Sequence, residues 1–158
     1  MKKFKYFLSI VIIIVVASLS LNAQVKDEAM LKEMINSKSF VFKPRTVSPM
    51  TGGSRIVTAE YDLAINNSKV VSFLPYFGRA YSATPYAADG GIKFTSTEFT
   101  YHINESKRGW KITIQPKDAE DIKELYLDIT KSGYASLLVS TNSRQGISFY
   151  GVVEMVKQ

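Results

Sequence analysis

The stretch IVTAEYDLAI, Ile56–Ile65, decides the fold class. Val57, Ala59, Tyr61, Leu63 and Ile65 alternate with Thr58, Glu60, Asp62 and Ala64, so one side is apolar and the other mostly polar. A period of two belongs to extended backbone whose successive side chains point to opposite faces. The pattern therefore predicts a strand with one buried and one wet face. Asn66-Asn67-Ser68 follows and is turn chemistry, because Asn tolerates positive φ. Val70–Leu74 then reads as the return strand of a hairpin.

The same alternation recurs along the chain. Ile92–Ser96 and Phe99–Ile103 read as one or two strands, with a bulge expected near Ser96-Thr97. Trp110, Ile112 and Ile114 alternate with Lys111, Thr113 and Gln115, and Leu125, Leu127 and Ile129 with Tyr126 and Asp128. Tyr134–Ser140 and Ile147–Val156 complete the set. Upstream, Phe40-Val41-Phe42 reads as a short strand and Lys43–Ser54, with two prolines and two glycines, as a loop. Asp118 is placed to cap a helical turn running through Ile122 and Leu125. Lys26–Asn36 is the one helix candidate, with Leu31, Met34 and Ile35 on a common face. About eight closely spaced strands predict a mostly β, antiparallel domain with one short N-terminal helix. Simple hairpin succession favours an up-and-down barrel, with an open β-sandwich as the alternative.

Residues 1–23 have the layout of a secretory signal. Lys2, Lys3 and Lys5 precede an apolar run from Tyr6 to Leu21, and Leu21-Asn22-Ala23 offers a small residue for scission before Gln24. The division expected is a signal peptide over 1–23 and a single β-barrel-like domain over 24–158, exported to the periplasm or beyond. The chain has no cysteine, which excludes a lipid-carrying N-terminal Cys and any disulfide. With the leader removed, net charge falls from +6 to +3. That is too small and too scattered to indicate nucleic acid, and no later stretch is long and apolar enough to hold the cleaved chain in a membrane as a helix.

Catalytic chemistry is hard to assemble from these residues. His102 is the only histidine and lies out of phase with Phe99, Tyr101 and Ile103, which turns it toward solvent. A hydrolytic triad needs a base beside its nucleophile, and zinc needs clustered His or Cys. Asp118, Glu120, Asp121 and Glu124 lack the spacing and glycine of a calcium loop, so they read as a solvated turn. No phosphate loop or nucleophile elbow is present. The sequence thus predicts no enzyme, no cofactor and no metal.

The segment Leu74–Gly91 behaves unlike a connector. It carries proline and glycine, yet packs in Tyr76, Phe77, Tyr81 and Tyr86 around Arg79. Connectors are ordinarily polar, so these rings either plug one end of the domain, with Arg79 in an internal ion pair, or form a recognition surface. LPYFGRAY (Leu74–Tyr81), GGIKF (Gly90–Phe94), GWKI (Gly109–Ile112), GYASL (Gly133–Leu137) and NSRQGISFYG (Asn142–Gly151) resemble the exported domain-of-unknown-function family 4251 of Bacteroidetes. The resemblance spans roughly residues 35–156 and implies a periplasmic or secreted protein with a lipocalin-like barrel. It carries no activity and no site residues with it.

Two function classes remain. One is a non-catalytic binding module that takes a small apolar or amphipathic ligand at Tyr76, Phe77, Arg79, Tyr81 and Tyr86. The other is a cell-envelope interaction protein that uses the aromatic 74–91 segment as a protein-binding patch. Tyr61, Phe94, Phe99, Tyr101, Trp110 and Phe149 all fall on inward faces, and rings of that size would fill much of an eight-stranded interior.

Overall fold

Leu31, Met34 and Ile35 recur at helical spacing, and they form the buried stripe of a helix, α1, over residues 28–36. The computed structural model describes residues 28–79, 81 and 91–156. The expected leader and Tyr86 lie outside them. The helix ends in a left-handed residue, Lys38 (φ 53°), with Ser39 N–H donating to the Met34 carbonyl and Lys38 N–H to that of Ile35. This 6→1 and 5→2 pair is the Schellman closure, usually built on glycine. Lysine brings something glycine lacks: its ammonium lies 5.3 Å from the centre of the Tyr101 ring, within cation–π range.

Ten strands follow: β1 (Phe40–Pro49), β2 (Arg55–Ile56), β3 (Asp62–Ile65), β4 (Val70–Pro75), β5 (Gly91–Ser96), β6 (Phe99–Ser106), β7 (Gly109–Pro116), β8 (Ile122–Thr130), β9 (Tyr134–Thr141) and β10 (Ile147–Met155). They make one antiparallel sheet in the order β5-β4-β3-β1-β10-β9-β8-β7-β6, with the short β2 beside β1. Almost every link joins sequence neighbours, and the first long strand pairs with the last. The domain is a nearly closed barrel of the up-and-down kind, with ten strands rather than eight. Phe40, Phe42, Trp110, Phe149 and the inward Ile, Leu and Val residues of β3, β4, β7, β8 and β9 are fully or almost fully buried. Tyr61, Phe94, Phe99 and Tyr101 pack against them half-buried. The interior is thus filled by side chains, as their inward phase predicts.

The bulge expected near Ser96-Thr97 is instead a corner between β5 and β6, and three further stretches depart from the sequence reading, each for a local reason. Lys43–Pro49 is strand, not loop. Pro44 pairs with Gly151 and Thr46 with Tyr150, so Arg45 is an extra residue on β1. Inward positions accordingly switch from Phe40, Phe42 and Pro44 to Val47 and Pro49, which hides the period from a sequence scan. Pro44 is tolerated because a bulge suspends the ladder there. Gly151 is required opposite, since a β-carbon on it would collide with the Lys43 carbonyl. The Ile56–Ile65 run, read as one strand, is split. Arg55–Ile56 pairs with Val47–Thr46 and Leu63–Ile65 with Phe42–Phe40, while residues 57–61 leave the ladder. Val57 N–H bonds the carbonyl of the bulged Arg45, and Lys43 reaches Asp62 at 3.2 Å and Glu60 at 3.6 Å. Finally, Asp118–Glu124 holds a turn and the start of β8 instead of a helical turn.

The way the barrel closes positions everything functional. A nine-strand antiparallel path leaves its two edges, β5 and β6, pointing the same way, yet only Thr97 and Glu98 separate them. β6 therefore starts where β5 stops, and the chain itself crosses from one edge to the other at a sharp corner. Asp118 holds that corner. Its carboxylate accepts from Ser96 Oγ, from Thr97 N–H (2.8 Å) and Oγ1 (3.1 Å), and from Glu98 N–H (3.2 Å). The Asx turn at Asn66, which accepts from Ser68 and Lys69 N–H, closes the β3–β4 hairpin as its sequence predicts.

The hydrogen bonds to Asp118, from Ser96 first and then Thr97 and Glu98, hold its pKa well below the usual carboxylate range. Only the ionised form accepts all of them, so folding favours loss of its proton. The stabilisation is complete above the ordinary value of 3.8 and is lost as pH falls toward the lowered native value. Asp118→Asn is expected to melt lower than wild type at neutral pH, with the difference shrinking as the pH drops below 3.8. A melting-temperature gap that stays constant through the acid range would contradict this role.

Candidate functional site

Leu74-Pro75 ends β4 inside the core, and the chain then passes over one end of the barrel. Tyr76 folds back across Gly78, where a β-carbon would strike its phenol. Its hydroxyl points between the carbonyls of Arg79 (2.9 Å) and Gln145 (3.0 Å). Tyr81 N–H donates to the Ser143 carbonyl and Gln145 N–H to that of Arg79. The 76–81 segment is thereby stitched to the β9–β10 turn. Burial raises the pKa of the Tyr76 phenol above its ordinary value despite the nearby Arg144 charge.

Among the described residues, the ion pair in this region belongs to Arg144 rather than to Arg79. Arg144 is only 4 % exposed and spreads three contacts over three parts of the chain. Nη2 meets Asp121 Oδ2 at 3.0 Å, Nη1 donates to the Gly91 carbonyl at 2.9 Å, and the guanidinium carbon lies 4.8 Å from the centre of the Tyr76 ring. Nε is buried with no partner among the described residues. Asp121 also accepts from Ser143 N–H. Burial alone would raise Asp121, but the bonds from Ser143 and Arg144 outweigh it and hold the carboxyl below its usual range. The acidic group read as a solvated turn is therefore engaged at two points, Asp118 at the corner and Asp121 on Arg144.

Of the five candidates, Tyr76 is a half-buried packing residue, while Phe77 (43 % exposed), Arg79 and Tyr81 (70 %) face outward. Arg55 stacks on Phe77 at 4.9 Å. Tyr86 lies outside the described residues. Tyr76 thus acts as a plug, and Phe77, Arg79 and Tyr81 do not join it in a pocket. Arg144 and Asp121 carried no signal in the sequence, because an ion pair across 23 positions has no periodicity.

The concavity nearest this network is a cleft of about 440 Å³ beside the edge of β5 that pairs with no strand among the described residues. Its walls are Lys93, Phe94 and Thr95 on β5 and Ala119, Glu120 and Arg144 across from them. Among the described residues, the β7–β8 turn faces β5 across this cleft without a ladder. Among the described residues, no cluster of His, Cys, Asp and Glu is arranged to hold a metal, and no helix is long and apolar enough to cross a membrane.

None of the curated proteins compared matches the chain. Among solved structures, a DUF4251 family protein from Bacteroides eggerthii DSM 20697 superposes with a TM-score of 0.56 at 15% identity, covering 84% of this chain and 88% of that one. At that identity the likeness concerns the fold. The family model described as a domain of unknown function, DUF4251, matches residues 22–153, and the chain belongs to that family.

Proposed function

We propose that the protein is an exported, non-catalytic binding module for a small amphipathic ligand, held in the cleft between β5 and the β7–β8 turn. The observation that carries the reading is the cleft itself, about 440 Å³ beside a barrel interior already full of side chains. Cargo of the lipocalin kind, deep in the barrel, has no space. The cleft instead offers the half-buried Phe94 ring and Ala119 to an apolar part, with Thr95 and Glu120 for polar ends. Such a mixture of apolar wall and few polar groups is what small-molecule sites use. Export rests on the charged, apolar and small-residue layout of residues 1–23.

Native mass spectrometry of the protein purified from its host is expected to show a retained small molecule and a mature chain starting at Gln24. Thr95→Trp, at an exposed cleft position, should abolish the adduct while leaving the melting temperature unchanged. A wild-type protein without adduct, or an adduct that survives Thr95→Trp, would sink the reading. The exposed Phe77 and Tyr81, with the exposed Met50 and the β2 residue Ile56, favour a second reading as an envelope interaction protein. A protein that co-purifies with wild type and is lost with Phe77→Ala and Tyr81→Ala would support that reading instead.

A further inference from the structure

Outward positions on a sheet with one solvated face are normally polar. Three on β9 and β10 are instead large rings or apolar chains: Tyr134 is 60 % exposed, Tyr150 53 % and Leu138 41 %. The register places these residues precisely enough to define a surface. Ser136 pairs with Asp128 on one side and with Tyr150 on the other, and Tyr150 pairs with Thr46 beyond. Tyr134 stands two residues from Ser136 on the same face of β9, diagonal to Tyr150. Diagonal neighbours of this kind are about 7–8 Å apart, roughly the breadth of one sugar ring.

Between the two rings runs a groove of about 560 Å³, whose lining includes Ser136, the Gly151 backbone, Arg45 and Asp128. The small Ser136 side chain keeps its floor low. The β1 bulge supplies Arg45, the extra residue opposite Gly151 and Tyr150, as an outward, exposed side chain. Bulges re-aim side chains in this way beside functional sites. The Arg45 guanidinium has no ion-pair partner among the described residues, and Asp128 meets only Lys111 at 3.9 Å.

We infer that this groove binds a neutral saccharide, independently of the β5 cleft. A pyranose presents an apolar face of C–H groups, which packs flat on a tyrosine, and a rim of paired hydroxyls. A guanidinium donates two parallel hydrogen bonds and a carboxylate accepts two, so Arg45 and Asp128 match that rim. Asp128 offsets only part of the positive charge of Arg45 and Lys111, but a carboxylate in the lining itself repels a strongly anionic ligand. An apolar peptide face would leave both of them desolvated, at a cost.

The test is titration of the full mature chain with maltotriose, cellotriose, N-acetylchitotriose and mannotriose at millimolar concentration, read by chemical-shift changes at tyrosine. At least one trisaccharide is expected to shift Tyr134 and Tyr150. Tyr150→Ala and Arg45→Gln should each weaken it about tenfold, equivalent to about 1.4 kcal/mol, with unchanged melting temperature, and Thr95→Trp should have no effect. The inference is overturned if none of the four shifts either tyrosine, or if Tyr150→Ala binds as wild type does. Concentration-dependent self-association abolished by Tyr150→Ala, without any saccharide response, would make the face a protein contact instead.

Discussion

Replacing Arg144 with Leu is expected to destabilise the protein by about 3–5 kcal/mol, the usual cost of stripping one partner from a buried ion pair. The substitution removes the cation that faces Asp121, whose side chain is only 12 % exposed, and frees the Gly91 carbonyl at the start of β5. Lysine should not restore stability, because a point charge cannot reach two acceptors and stack on Tyr76 at once. The double variant Arg144→Leu/Asp121→Leu should cost less than Arg144→Leu alone, since it leaves no buried charge unpaired. Urea denaturation followed by circular dichroism distinguishes these cases. An Arg144→Leu midpoint within error of wild type would show that the pair is not what ties β5 to the two turns.

Trp110→Ala is expected to cost a similar amount, about 3–5 kcal/mol, through loss of buried surface and the cavity left behind. Trp110 is 1 % exposed and lies among the largest buried side chains. Its indole N–H, however, is buried with no partner among the described residues, and an unsatisfied group of this kind costs about 1–3 kcal/mol. Trp110→Phe removes that group along with some volume, so the two effects oppose each other and its loss should be markedly smaller than that of Trp110→Ala. Trp110 is the only tryptophan, so unfolding of these variants must be followed by circular dichroism. Equal losses for Phe and Ala would mean that the indole N–H finds a partner in solution.

The two positions also bracket what kind of information a sequence holds. Trp110 could be assigned to the interior because it alternates with Lys111 and shares a phase with Ile112 and Ile114. His102 could be assigned to the outside by the same rule, and it is exposed. Arg144 could not be placed, since its partners lie 23 and 53 residues away. The aromatic 74–91 segment shows both situations at once. Its density of rings was visible, but whether each ring is buried depends on the β9–β10 turn, which catches Tyr76 and leaves Phe77 and Tyr81 outside.

By itself, then, the sequence determined the class of fold, the antiparallel meander, the Asn66 turn and a filled interior, because a period of two records which side of a strand faces water. Only the tertiary structure decided the strand count, the split of Ile56–Ile65, the corner held by Asp118 and the groove beside Arg45. Each of those depends on a single extra residue or a carboxylate meeting distant backbone. A bulge shifts the phase of a strand without changing its composition. A hydrogen bond between elements far apart in the chain leaves no local trace at all. The features that could bind something are therefore the ones that the period of the chain does not record.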